Sequence, residues 1–311
     1  MSDRPVLLFG ATGQVGAHLM QILAARRVVL TPHHTEVDFI LPDDLRTYIR
    51  IARPSIIINA AANTNVDGAE DLPTLAMAVN ADAPRIMAEE ARQLGIALVH
   101  YSTDYVFDGK GGGGEPRSES GLGSYLEGDP AHALGVYGES KWRGEEGVRL
   151  ISPAHLILRT GWIYGWTRRN FFNTIRTLAL EQDELRIVDD QIGTPNWARA
   201  LAESTVAILD ATNGIDIPAM LEVNGGTYHL SAAGATSWFG FATAIVEELA
   251  ALADWPAVRP VPAVVPIATA DYPLPAARPA YSVLDTRAVC QNFDLELEDW
   301  RAQLKRCFES A

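Results

Sequence analysis

The sequence predicts an α/β protein: a Rossmann-like, doubly wound parallel sheet with a smaller C-terminal substrate-binding domain. Three observations predict it. Apolar runs of strand length alternate with helical segments through the first half of the chain. These runs are apolar on both faces, the pattern of parallel strands covered by helices on each side. The first run ends in a glycine turn, Gly10-Ala11-Thr12-Gly13-Gln14-Val15-Gly16, that opens a helix, the context in which such a turn approaches a dinucleotide.

The elements follow in order. Val6-Leu7-Leu8-Phe9 reads as a buried strand and residues 14–25 as the helix after the turn. Val28-Val29-Leu30 is a second strand, residues 43–52 a helix, and Ser55-Ile56-Ile57-Ile58-Asn59 a third strand. Residues 75–94 read as one long helix, followed by the strand Ile96-Ala97-Leu98-Val99-His100-Tyr101. Residues 137–150 are helical and His155-Leu156-Ile157-Leu158-Arg159 is a fifth strand. In the less regular second half, residues 170–180, 197–209, 237–253 and 295–308 have helical character. The proline-rich stretch 255–279 reads as an extended, ordered loop, and the Gly111–Gly114 run within 108–128 as a mobile loop beside the site, a candidate lid. We expect a nucleotide-binding domain over 1–165, with about 186–212 returning to it, and a mainly substrate-binding domain over 166–311.

Composition narrows the function. Hydrophobic residues make up 48% of 311 residues, enough for a substantial core. The formal charge of −14, from 25 basic and 39 acidic residues, argues against a nucleic-acid partner. Cys290 and Cys307 form no disulfide framework in a chain of this length. The N-terminal residues lack a signal-peptide apolar region and no run reaches membrane-spanning length, so a cytoplasmic protein without a membrane partner is expected.

The chemistry centres on Tyr137-Gly138-Glu139-Ser140-Lys141. Four residues apart on a helix, Tyr137 and Lys141 share a face. An ammonium beside a phenol lowers the phenol pKa and makes it a usable proton donor. Together with the glycine turn, this points to hydride transfer to a carbonyl with Tyr137 supplying the proton. Ser102-Thr103-Asp104 follow the fourth strand at the carboxyl edge of the sheet, where such folds bind ligands. A hydroxyl there can orient a substrate carbonyl. Trp162 and Tyr164 follow the next strand and can wall a sugar. The end of the second strand, Leu30-Thr31-Pro32-His33-His34-Thr35-Glu36, offers neither an acid for a ribose hydroxyl nor an arginine for a 2′-phosphate, so NADPH and NADH both stay open. No cluster has metal-ligand spacing.

These residues resemble the extended short-chain dehydrogenase/reductases that act on nucleotide sugars, and more narrowly their dTDP-4-dehydrorhamnose reductase branch. The resemblance rests on the segments Leu8–Gly16, Asn59–Glu70, Tyr101–Phe107, Val136–Lys141, Leu158–Trp162, Asp190–Pro195, Tyr228–Leu230 and Arg278–Ser282. It implies an NADPH- or NADH-dependent reductase of a 4-keto nucleotide sugar, with Thr103, Tyr137 and Lys141 as the catalytic triad. It assigns Gly10, Thr12, Gly13, Gln14, Val15, Gly16, Ala60, Ala61 and Ala62 to the cofactor diphosphate and nicotinamide ribose. Asp38 and Phe39 fall to the adenine, and Tyr137 and Lys141 to the nicotinamide ribose. Thr64, Val66, Thr103, Asp104, Tyr105 and Trp162 fall on the sugar side, and Asn170, Gln191 and Arg278 at the nucleotide end. The acids that hold a bridging magnesium in some members are replaced by His18 and Arg199, leaving Glu70. The resemblance therefore implies no metal and a monomer or weak homodimer. Two related readings share the fold: an epimerase or reductase of another nucleotide sugar, and a non-catalytic regulatory subunit like that of methionine adenosyltransferase.

Overall fold

The computed structural model describes residues 4–116, 121–212, 214–252, 255 and 260–310. Outside them lie Met1-Ser2-Asp3, residues 117–120 of the expected lid, Ala253 at the end of an expected helix and 256–259 of the proline-rich stretch. In chain order the first half runs β1 (Val6–Phe9), α1 (Gln14–Ala24), β2 (Val29–Leu30), α2 (Pro42–Ala52), β3 (Ile56–Asn59), α3 (Val66–Asp71), α4 (Pro73–Met77), α5 (Ala83–Leu94), β4 (Ala97–Thr103), α6 (Val136–Ile151) and β5 (His155–Thr160). The rest comprises β6 (Ile163–Tyr164), α7 (Phe171–Glu181), β7 (Glu184–Val188), β8 (Ile192–Gly193), β9 (Asn196–Trp197), α8 (Ala198–Asp210), α9 (Ile217–Asn224), β10 (Gly226–His229), β11 (Thr236–Ser237), α10 (Trp238–Ala251), β12 (Ala263–Ile267), α11 (Arg287–Phe293) and α12 (Trp300–Glu309).

Six strands form one sheet in the order β10-β5-β4-β3-β1-β2, with every pairing parallel. Every residue of β1, β3 and β4 is buried, which explains the apolar runs Val6–Phe9, Ile56–Ile58 and Ala97–Val99 that open them. On one face Val6, Leu8, Ile58 and Val99 pack with Leu19 and Leu23 of α1, Leu201 and Val206 of α8, and Phe293 of α11. On the other, Leu7, Phe9, Ile57 and Leu98 meet Leu45 and Ile49 of α2, Ile86 and Met87 of α5 and Val148 of α6. The period of two along each strand decides which residue faces which layer. A separate aromatic core joins Phe172 of α7, Phe241 of α10, and Trp300 and Phe308 of α12.

Three differences from the expected elements have physical causes. The helix over 75–94 is interrupted by a π turn, Ala78–Asp82, between α4 and α5. Pro84 has no N–H to return to the Asn80 carbonyl four residues back. The buried Asn80 side chain instead accepts from the Asn63 N–H and donates to the Asn63 carbonyl and the Ser140 hydroxyl. Gly144 of α6 passes directly over the Asn80 carbonyl, where a Cβ would stand 2.1 Å away. Second, β10 brings residues 226–229 back to the edge of the sheet against β5, and the proline-rich stretch supplies β12, which pairs in parallel with β7. Helix α12 begins at Trp300 rather than 295. Third, the glycine run is hydrogen-bonded in place. The Gly112 N–H donates to the Gly123 carbonyl, Gly114 to the Ser124 carbonyl and Gly113 to the Asp129 carboxylate. The described part of this loop is therefore an ordered strap rather than the mobile lid expected of a glycine run.

Candidate active site

The glycine turn is tight because only glycine fits it. Gly10 has φ +83°, and a Cβ on it would lie 2.6 Å from the Ala60 carbonyl and the Ala61 nitrogen. A Cβ on Gly16 would lie 2.0 Å from the Gly10 carbonyl oxygen. The turn delivers the chain into α1, whose N-cap, Gly13, has no side chain to satisfy the first N–H groups, leaving them for an anion. Gly10, Thr12, Gly13, Gln14, Val15, Ala60, Ala61, Ala62 and Thr64 line a cleft of about 440 Å³ that also contains Tyr137 and Lys141. A second cavity of about 550 Å³ is lined by Asp38, Phe39, His33 and His34 and shares Gly10, Thr12, Ala61 and Ala62 with the first. Through these shared residues the two adjoin across the carboxyl ends of β1, β2 and β3, the place where such a sheet binds a dinucleotide. Thr160, at the end of β5, also lines the cleft, and its buried hydroxyl has no partner among the described residues. A glycine cradle, an uncapped helix start and an unsatisfied hydroxyl fit a nicotinamide dinucleotide.

Tyr137 and Lys141 sit one turn apart on α6. Thr103 ends β4, buried, with its Oγ1 accepting from the Tyr105 N–H and donating to Asp104 Oδ1 at 3.1 Å. Its hydroxyl lies close enough to the Tyr137 phenol to pull the phenol pKa down. The Tyr105 ring meets the Tyr137 ring edge-on at 5.6 Å. The expected lowering of the Tyr137 pKa is not what this geometry produces. Burial pushes the phenol up to about 12, opposed by the Thr103 hydroxyl and reinforced by the Asp104 charge. Lys141 is buried and donates to the Tyr101 carbonyl at 2.6 Å rather than to the phenol. Burial lowers its ammonium to about 8, against the pull of Glu145. The Asp104 carboxyl is raised to about 6, chiefly by burial, although Ser282 and Thr103 hydrogen-bond it.

The remaining expected residues divide. Tyr105 stands beside Tyr137, with its phenol raised by burial. Val66 opens α3 and is half-buried. Trp162, at φ +45°, stacks on Trp238 with 3.4 Å between ring centroids and 2° between planes. Gln191 accepts from the Trp238 indole and donates to Thr269. The other two residues assigned to the nucleotide end, like Gln191, have their polar groups engaged within the protein. Asn170 caps α7 through the Asn173 N–H and donates to Gln14 Oε1 and the Gly165 carbonyl. Arg278 grips Asp67 through two nitrogens, at 2.6 and 2.7 Å, and donates to the Ala276 carbonyl. Glu70 accepts from the Val136 N–H at the start of α6, and no group of three His, Cys, Asp or Glu side chains suited to a metal occurs among the described residues.

The structure adds residues that the sequence reading missed. Arg168 and Arg169 line the cleft, and Arg168 holds a left-handed φ of +69°. Their signal was present: adjacent arginines in an acidic chain, a few residues after a strand end. Tyr101, Ser102 and Ile163 complete the wall.

The family described as the RmlD substrate binding domain matches residues 4–311. A dTDP-4-dehydrorhamnose reductase of Burkholderia thailandensis is 39% identical over 304 residues, covering 97% of each chain. One from Escherichia coli K12 is 40% identical over 306 residues, covering 97% of this chain and 96% of that one. The structure superposes with a TM-score of 0.85 on a dTDP-4-dehydrorhamnose reductase of Bacillus anthracis in complex with NADP, at 31% identity over 99% of both chains. No helix among the described residues is long and apolar enough to cross a membrane. By family match and by identity over nearly its whole length, the chain belongs to the dTDP-4-dehydrorhamnose reductase family.

Proposed function

We propose that the protein reduces the C4 keto group of dTDP-4-dehydro-L-rhamnose to give dTDP-L-rhamnose, using NADPH or NADH. The observation that carries this reading is the single cleft in which the glycine turn, the Ala60–Ala62 loop, Tyr137 and Lys141 meet. When bound, the reduced nicotinamide supplies hydride to the sugar carbon. Tyr137, protonated throughout the neutral range because its pKa lies near 12, gives its proton to the developing alkoxide. Thr103, at the end of β4 beside Tyr137, orients the carbonyl oxygen. Lys141 offers a positive charge at the same wall and a donor for the nicotinamide ribose. Thr64, Val66, Asp104, Tyr105 and Trp162 form the sugar side, and the part of the chain beyond residue 165, Gln191 included, covers the nucleotide. Arg168 and Arg169 supply positive charge for a diphosphate.

His33 and His34 in the second cavity, and the NADP found in the Bacillus anthracis relative, support NADPH ahead of NADH. The reading carries with it a cytoplasmic location, no membrane or nucleic-acid partner, and a monomer or weak homodimer. The test is Tyr137→Phe. Loss of the proton donor should lower kcat by about 10²–10⁴-fold while NADPH still binds with wild-type affinity in a fluorescence titration. Wild-type turnover by that variant would remove Tyr137 from the chemistry.

A further inference from the structure

Beneath the Tyr137–Lys141 face of α6 runs a buried series of side chains that none of the roles above uses. Asn59 ends β3 and His100 lies beside it in register on β4; both are fully buried. The orientation of the Asn59 amide is set by its neighbour, because the Ala61 N–H donates to Asn59 Oδ1 at 3.1 Å. The amide nitrogen is thereby turned toward His100 and lies 3.1 Å from Nδ1. An amide NH₂ can only donate, so Nδ1 accepts, and the neutral imidazole carries its proton on Nε2. That Nε2 is 3.4 Å from Lys141 Nζ. Lys141 already gives one N–H to the Tyr101 carbonyl. An ammonium has no lone pair to receive the imidazole N–H, whereas an amine has one.

We propose that Asn59 and His100 are positioning residues that present an N–H, rather than a lone pair, to Lys141 Nζ and so hold this lysine ready to release its proton. The groups facing Lys141 are few. Tyr137 and Glu145 lie one turn away on α6, His100 and the Tyr101 carbonyl face it from β4, and Asn59 stands behind His100 on β3. Of these, only Glu145 favours the ammonium by charge, and its carboxylate is bound by Arg159 and the Ser102 hydroxyl. His100 stays neutral, its basicity held far below the ordinary value by burial and then by the Lys141 charge. It therefore sets the proton on Lys141 without titrating itself. In turnover, Tyr137 Oη is left as a phenolate, solvent in the cleft carries a proton to it from Lys141 Nζ, and the amine regains one from the same solvent. A more acidic ammonium is the better donor for that step.

The kinetic part of this inference rests on the reductase reading, while the tautomer does not. Two-bond ¹⁵N–¹H NMR of the full-length, ¹⁵N-histidine-labelled protein should show His100 neutral and protonated on Nε2 between about pH 6 and 9. A proton on Nδ1, or an imidazolium, would overturn the inference whatever the activity. His100→Gln places a carboxamide oxygen within reach of Lys141 and should move the alkaline limb of the kcat/KM profile up by about one pH unit, leaving NADPH affinity unchanged. A folded His100→Gln variant with an unmoved alkaline limb would refute the positioning role. A wild-type protein that reduces no keto sugar would instead count against the proposed function and leave the NMR result standing.

Discussion

Asp104 enters the site from the end of β4 with its carboxyl buried and its pKa raised from 3.8 to about 6. A carboxyl whose folded pKa is raised contributes stability that is fully present below about pH 4 and is lost as the pH rises through 6. Above that the buried charge costs roughly 2–3 kcal/mol at most. Asp104→Asn should therefore flatten the dependence of Tm on pH between 4 and 6 and raise Tm at pH 7.5. A Tm that falls equally at both ends of the range would mean that the hydrogen bonds from Thr103 and Ser282 outweigh the burial of charge. The same scale explains which site residues were legible in the sequence. Tyr137, Lys141, Thr103 and the glycines are read from local sequence, and Tyr137, Lys141, Gly10 and Gly13 line one cleft. Asn170 and Arg278 are the right chemical types in the right segments, yet their partners Gln14 and Asp67 lie 156 and 211 residues away in the chain, beyond any local pattern. The lowered phenol pKa expected from the Tyr-Lys spacing failed for a related reason: spacing does not reveal burial, and burial is the larger effect on both groups.

At the scale of elements, α6 carries the chemistry and is anchored by the buried pair of Glu145 and Arg159. Arg159 Nη2 is 2.7 Å from Glu145 Oε2, and both side chains are at most 1% exposed. Ser102, next to Thr103, donates to the same carboxylate, so the pair ties α6 to β4 and β5 at the catalytic level. Glu145→Ala leaves the Arg159 guanidinium buried without its counter-charge and should cost about 3–5 kcal/mol, read from urea denaturation. A loss under 1 kcal/mol would show that the Glu127 carbonyl, which also accepts from Arg159, suffices. Gly16→Ala belongs to this scale as well. Its Cβ would collide with the Gly10 carbonyl, forcing the turn open, so NADPH affinity should fall by at least about tenfold, by titration, in a protein that stays folded. The central strands and their helices were legible because apolar runs and helical periods are local. The π turn was not, because Pro84 is favourable at a helix start and only its placement four residues after Asn80 breaks the ladder. The strand β10 was hidden by its shortness and its mixed residues, Gly226-Thr227-Tyr228-His229, which gain strand structure only from β5.

At the scale of the whole molecule, the sheet is completed from the second half of the chain. β10 pairs with β5, and Leu201, Val206, Met220, Val289 and Phe293 fill the face that α1 alone leaves uncovered. A fragment of residues 1–165 would expose the β5 edge and that apolar face, a template for aggregation. The full chain should unfold in one calorimetric transition, and the fragment should be insoluble or lack cooperative melting. A soluble fragment with a sharp melt would show that the nucleotide-binding half folds on its own. The whole chain carries a formal charge of −14, yet the cleft is lined by Lys141, Arg168 and Arg169, so anionic ligands meet positive charge where they bind.

The measurement that tests the account most directly is the oxidation of NADPH and of NADH, followed at 340 nm, with enzymatically prepared dTDP-4-dehydro-L-rhamnose and identification of the product by NMR. The account predicts rapid oxidation, NADPH ahead of NADH, and dTDP-L-rhamnose as the single product. Cofactor that binds but is not oxidised in the presence of this keto sugar would contradict it.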